Sequence, residues 1–410
     1  MNEEKFNDKW NRMSTAIRLE EGDRVPFSPK VCGYYSYQYG PSMYDIMMDM
    51  RNALPAIDKY LEEFDPDLVW PIATYPIQPV LKLDCSHIKV PGPTHGIALD
   101  APSFQFVDGT YMQDDEFDDF LTDPTQFLIS KIMPAKFRAL EGFSKFYCGD
   151  IYDQSMVMNM AVFANEDFKQ AMAAATRAGE EALIAIQNNG MVAKHIHDMG
   201  YPAIGGRMVA PFDIYADSLR GLVQATIDVM EDPDLVVECV ERIGKMTTPR
   251  AIAAAKARGA KVMFIPLHAG VDEFMSPEAY EKVYWPTLKD MIDGLVDAGI
   301  VPYVFCEGKY NSRLEIISDV PKGKVVYMFE EVDIKRAKEI VGKNACIAGN
   351  IPTATLIAGS PEDVKRATMK MIDDCAPGGG FIMDCSIVLD NAKYENMIAW
   401  RDTTLEYGRY

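Results

Sequence analysis

Five apolar runs in the C-terminal part of this chain end on residues that can ionise, donate or coordinate. VMFIPL leads to His268, VPYVF to Cys306-Glu307 and KVVYMF to Glu330-Glu331, while ACIAG leads to Asn350 and GFIMD to Asp384-Cys385. Histidine, carboxylate and thiolate bind zinc, and three protein ligands with one open position is the arrangement of a catalytic zinc. His268, Glu307 and Cys385 make such a set if the fold brings them together. Without a metal, His268 or Glu307 can serve as the acid that protonates a leaving oxygen. The structural alternatives stay open. His268 can bind a backbone carbonyl, Glu307 can pair with Arg313, and Cys385 can be an inert thiol, since no compact HxxxH or CxxC pair joins them. Arg313 in YNSRLE and Arg220 in DSLRG are candidate carboxylate clamps, and Asn350 and Asp384 candidate substrate contacts. Tyr34, Tyr35 and Tyr37 in CGYYSYQYG suit the wall of an aromatic ligand, or packing beneath a loop.

The elements that must position these residues alternate. Each of the five runs reads as a strand followed by a helix, the clearest being 277–298, where Tyr280, Val283, Tyr284, Leu288, Met291, Ile292 and Leu295 share one face. Such repetition means a parallel sheet. With earlier strands expected at 25–31 and 67–72, eight strands can be counted, which favours a closed (β/α)8 TIM barrel, an α/β fold. In that fold, function sits at the C-terminal ends of the strands. The reading is of one barrel domain over 1–410, with an N-terminal helical extension (1–24) and a hairpin-rich insertion at 73–113 that holds His87 and His95. A long alanine-rich helix is expected over 165–189, stopped by Asn188-Asn189-Gly190. HIHDMG (195–200) then falls in a loop, with histidine where the cobalamin-ligating pattern DxHxxG requires aspartate.

Bulk properties exclude several function classes. The 410 residues carry 41 Lys+Arg against 61 Asp+Glu, a formal charge of −20 that argues against nucleic acid and anionic membrane as partners. No long apolar run suggests a transmembrane helix, and MNEEKFNDKW has no secretory apolar core. The eight scattered cysteines then read as reduced thiols of a cytoplasmic protein. A GxGxxG dinucleotide fingerprint is missing.

Several stretches together carry a family resemblance. They are GDRVPF near the start, PFDIYADSLRG (211–221), SPEAYEKVYWPTLK (276–289), FCEG (305–308) followed by RLEII, GNIPTATLIAGSPEDVK (349–365) and ENMIAW (395–400). Over nearly its whole length the chain resembles the uroporphyrinogen decarboxylase superfamily, in its branch of corrinoid-linked methyltransferases. The resemblance implies transfer of a methyl group from a small donor, such as a phenyl methyl ether, to a corrinoid carried by a separate protein. It also implies a zinc ion and suggests a homodimer. Two departures stand out. The arginine-rich RQAGR-type segment of the decarboxylases is replaced by CGYYSYQYG, which disfavours an anionic tetrapyrrole substrate. The zinc motif HxCG is replaced by FCEG, so Phe305 and Glu307 stand at two ligand positions, Cys385 matches the third, and His268 is recruited to complete the set. A decarboxylase of a small acid and a non-catalytic ligand-binding barrel are the rival readings.

Overall fold

The structure is a computed structural model that describes residues 2–147 and 151–410. A two-residue hairpin, β1 (Ile88–Lys89) with β2 (Gln105–Phe106), stands apart from a parallel sheet in the order β3 (Val262–Leu267), β4 (Val301–Cys306), β5 (Val326–Phe329), β6 (Cys346–Ala348) and β7 (Phe381–Ile382). Three shorter extended segments complete the ring. Phe27 bridges Met383 in parallel, the Asp67 amide donates to the Phe27 carbonyl, Val69 bridges Ala203, and Arg207 bridges Phe264. Among the described residues the barrel therefore closes through eight parallel staves, five as strands and three as single-bridge segments. The fold expectation is met.

Period-2 alternation sets what each stave residue faces. Tyr303, Phe305, Val326, Met328, Cys346, Ala348 and Ile382 fill the barrel interior, whereas Val304, Cys306, Tyr327, Phe329, Ile347 and Phe381 pack outward against the helices. Both faces are buried, so the strands read as unbroken apolar runs. The N-terminal helix Glu3–Ile17 plugs one end, with Met13, Ala16 and Ile17 joining the interior cluster. Buried Asp67 is neutralised beside it by Arg12 at 2.6 Å and Arg24 at 2.7 Å. The helical segments Pro277–Ala279, Tyr280–Tyr284 and Trp285–Asp297 bury the whole apolar face expected for 277–298, starting at the Ser276 cap.

The sequence reading needs correction on the N-terminal side. The alanine-rich helix runs Glu166–Asp198, past Asn188-Asn189-Gly190. Asn188 is buried and its amide donates to Asp49 at 3.1 Å, so tertiary contact overrides a local stop signal. HIHDMG is thus mostly helical, His195 contacts Asp58 at 2.6 Å, and the turn comes at Gly200 with φ of 89°. The excursion from the barrel is also longer than 73–113. It runs from the Val69 stave to the Ala203 stave, and most of its ordered structure is helical. His87 lies among the rings of Phe106, Tyr111 and Phe137, and burial followed by the charge of Lys136 pushes it down to about 4. Seven cysteines are free and buried; Cys148 lies outside the described residues.

Candidate active site

The inward register that fills the barrel also selects what stands at its mouth. At the next inward-facing position beyond the ends of six of the eight staves, the Phe27 stave and β3 to β7, come Lys30, His268, Glu307, Glu330, Asn350 and Asp384. The same alternation sends Cys306 and Cys385 outward, into the cluster beneath the helices. That is why Cys385 does not join His268 and Glu307. Its thiol is buried, lies 3.4 Å from Asp384 and 3.8 Å from the Lys30 carbonyl, and burial first and Asp384 second push it well above the usual thiol range. Among the described residues, no group of three or more His, Cys, Asp or Glu side chains is arranged to hold a metal ion. The residues present do not fit the expected His268–Glu307–Cys385 zinc set, because Cys385 faces away from the other two.

His268 and Glu307 do meet, with Nε2 3.8 Å from a Glu307 carboxylate oxygen. The other ring nitrogen, Nδ1, is 2.8 Å from Asp217. Asp213, fully buried, accepts the His268 and Ala269 amides at 3.1 and 3.0 Å and the Tyr284 hydroxyl at 2.9 Å. Asp213 and Asp217 lie one turn apart where Pro211–Ile214 continues into the wide turn Tyr215–Arg220, so both carboxylates face the end of β3. Burial alone would push the imidazole down. The Asp217 hydrogen bond and the charges of Asp213, Asp217 and Glu307 outweigh it and hold His268 at about 9, a cation at neutral pH. Burial, partly offset by His268, raises Asp213 to about 6.

Lys30 was not singled out from sequence, although it ends the first apolar run. Its side chain is buried, with Nζ 3.5 Å from the centroid of the Phe305 ring, 4.6 Å from Phe264 and 5.6 Å from Trp70. Burial pushes the ammonium down, and the charges of Glu307 and then Asp384 offset part of that. Phe305, standing at one expected ligand position, is thus the floor under a cation. Lys30 lines a cavity of about 440 Å³ with Trp70, Tyr75, Phe104, Arg207 and Phe264.

The other expected contacts are distributed differently. Arg313 is fully buried and donates to the carbonyls of Gly270, Val271 and Met275 and to the Ser312 hydroxyl, so its fork braces the loop after His268 and is not a substrate clamp. Arg220 is likewise consumed by Asp228, Asp114 and the Met112 carbonyl. Asn350 donates to the Glu330 and Val332 carbonyls at 3.1 and 3.3 Å, and lines a second cavity of about 480 Å³ with Glu330 and Ser386. Asp384 accepts the Lys30 and Cys385 amides at 2.8 Å each and the Tyr303 hydroxyl at 3.1 Å. It pins the Lys30 backbone to β7. Tyr34 and Tyr35 are core residues on the helix Tyr34–Tyr39, Tyr34 packed on Phe64 and Tyr35 on Tyr60, while Tyr37 is 62% exposed. Tyr34 and Tyr37, one turn apart, bring their ring centroids to 6.5 Å, but Tyr35 points about 100° away into the core, so the three form no common wall.

Comparison with known proteins agrees with this architecture. Residues 157–407 match the family described as Uroporphyrinogen decarboxylase (URO-D), and the chain belongs to that family. It is 33% identical over 141 residues to "Methylcobamide:CoM methyltransferase MtbA" of Methanosarcina mazei, covering 33% of this chain and 40% of the relative. The protein of that name in Methanosarcina acetivorans is 26% identical over 254 residues, covering 57% of this chain and 68% of the relative. A "Uroporphyrinogen decarboxylase" of Carboxydothermus hydrogenoformans is 28% identical over 165 residues, covering 40% and 45%. The match therefore spans less than half of two of these three relatives. A solved methyltransferase from Methanosarcina mazei overlays on 97% of this chain and 98% of its own, with a TM-score of 0.61 and 14% identity, a likeness of fold. Among the described residues, no helix is long and apolar enough to cross a membrane.

Proposed function

We propose that this protein is an enzyme that moves a methyl group from a small donor, such as a phenyl methyl ether, to the corrinoid of a separate protein docked at the barrel mouth. The observation that carries the reading is His268, held as a cation by Asp217 and beside Glu307 at the end of β3. Methyl ethers resist cleavage because the oxygen leaves badly as an anion. A proton delivered from His268 Nε2 as the methyl–oxygen bond breaks turns that anion into a neutral hydroxyl. The methyl group departs to the acceptor, which supplies the electron pair for the new bond, and His268 is left neutral. Asp217 fixes the ring and favours its recharging. The names of the two methyltransferase relatives support the reaction class.

The test combines purified protein, a reduced corrinoid carrier and a panel of methyl donors, with methylation of the corrinoid followed by absorbance. We expect turnover with at least one ether and a loss of about 100-fold or more in His268→Gln, the usual range for removing a general acid. No methylated carrier with any donor, or unchanged turnover in His268→Gln, sinks the proposal. A second reading, decarboxylation of a small acid, is favoured by the cations Lys30 and Arg207 at one cavity and by the decarboxylase relative. Release of labelled CO2 without corrinoid would select it.

A further inference from the structure

Lys30 poses a question that the proton donor does not answer. Its side chain is about nine-tenths buried, yet among the described residues Nζ makes no hydrogen bond and no ion pair within 4.0 Å. An ammonium taken out of water without a direct partner is strongly disfavoured. The faces of Phe305, Phe264 and Trp70 recover part of this, since an aromatic quadrupole attracts a cation. They cannot accept its protons as a carboxylate would. Arg207, an exposed side chain on the stave beside β3, lines the same cavity and has no carboxylate or hydrogen-bond partner among the described residues. Water can satisfy the exposed Arg207, so it is the buried Lys30 ammonium, with Glu307 and Asp384 acting on it only from beyond contact distance, that calls for an occupant.

The walls say what the rest of that occupant is. Trp70, Tyr75, Phe104 and Phe264 line the space, and about 440 Å³ has room for a ring with substituents. We infer that this cavity binds a small aromatic carboxylate, whose anionic group takes the Lys30 ammonium and the Arg207 guanidinium while its ring lies among the aromatic walls. A single carboxylate matches the buried ammonium one for one. A phosphate dianion would bring more charge than the one buried cation neutralises. Under the methyl-transfer reading, on which the assignment of this molecule as the donor rests, the methyl donor is an anionic arene. The binding claim itself stands on the cavity alone.

Binding is measured by calorimetry without any corrinoid carrier, using 4-methoxybenzoate and its neutral isostere 4-methoxybenzamide. The carboxylate is expected to bind at least tenfold more tightly than the amide. Lys30→Met is expected to weaken the carboxylate tenfold or more and leave the amide unchanged; Arg207→Ala, at an exposed side chain, should weaken the carboxylate severalfold. If Lys30→Met does not fold, Arg207→Ala and the comparison of the two ligands on wild-type protein decide the matter. Equal affinity for the two ligands, no binding of either, or carboxylate binding untouched by both substitutions overturns the inference. Carboxylate binding without methyl transfer overturns the functional reading alone, and transfer from neutral ethers with no preference for the acid overturns the assignment of the bound carboxylate as the donor.

Discussion

Two buried cations stand near the mouth of this barrel, and they live in opposite surroundings. Arg313 reaches back to three carbonyls of the loop that follows His268, and a hydroxyl takes a fourth donor. Lys30 has three aromatic faces and an open cavity. The planar guanidinium suits fixed carbonyls at several angles, whereas an ammonium on a flexible stem is a point charge that can meet a mobile ligand. The difference teaches how to sort buried charge: a cation whose donors are all spent inside the protein supports the fold, and one left unspent faces a ligand.

The contrast can be broken by stability measurements. Arg313→Met strips several buried carbonyls of their donor and should cost about 3–5 kcal/mol in urea unfolding, with ligand affinity of the folded protein retained. A loss below about 1 kcal/mol would place Arg313 outside the supporting role. Lys30→Met removes an unpaired buried charge for an apolar side chain of similar length and should leave stability unchanged or raise it by about 1 kcal/mol. A large destabilisation would show that the ammonium has an internal partner after all. The smallest expected effect separates the acidic side of the mouth. His268 rises from an unfolded value near 6.5 to about 9, so the folded state holds its proton more tightly. That stability is fully present below about pH 6.5 and is lost as pH rises through 9, worth about 1 kcal/mol once the partial exposure of the ring is discounted. Asp217→Asn should flatten this part of the profile; an unchanged slope would mean that Asp217 does not hold the imidazolium.

Much of the barrel was legible because parallel strands and their covering helices repeat local signals. The helix Pro361–Cys375 begins at Ser360 and Pro361 as its capping residues require. The staves around Phe27, Val69 and Ala203 are single bridges, with little sequence signature beyond a short apolar stretch. Of the site, His268 and Glu307 were readable from strand ends, but reading only the later strands passed over Lys30. Counting parity along each strand would have kept Lys30 and Glu307 and set aside Cys306 and Cys385. Asp213 and Asp217 were visible as a one-turn pair in PFDIYADSLRG, yet nothing in that stretch named the histidine they hold.

The sequence by itself determined the alternation of strand and helix, the apolar faces and the residue types available at the strand ends, because these follow from local periodicity and burial. Only the tertiary structure decided which of those residues share a space. Closing the barrel brings the end of the first stave beside β7 and across from β4, so Lys30 comes to rest over Phe305. It also turns Cys385 outward and spends Arg313 on its own loop, since inward direction and hydrogen-bond supply are properties of the closed ring.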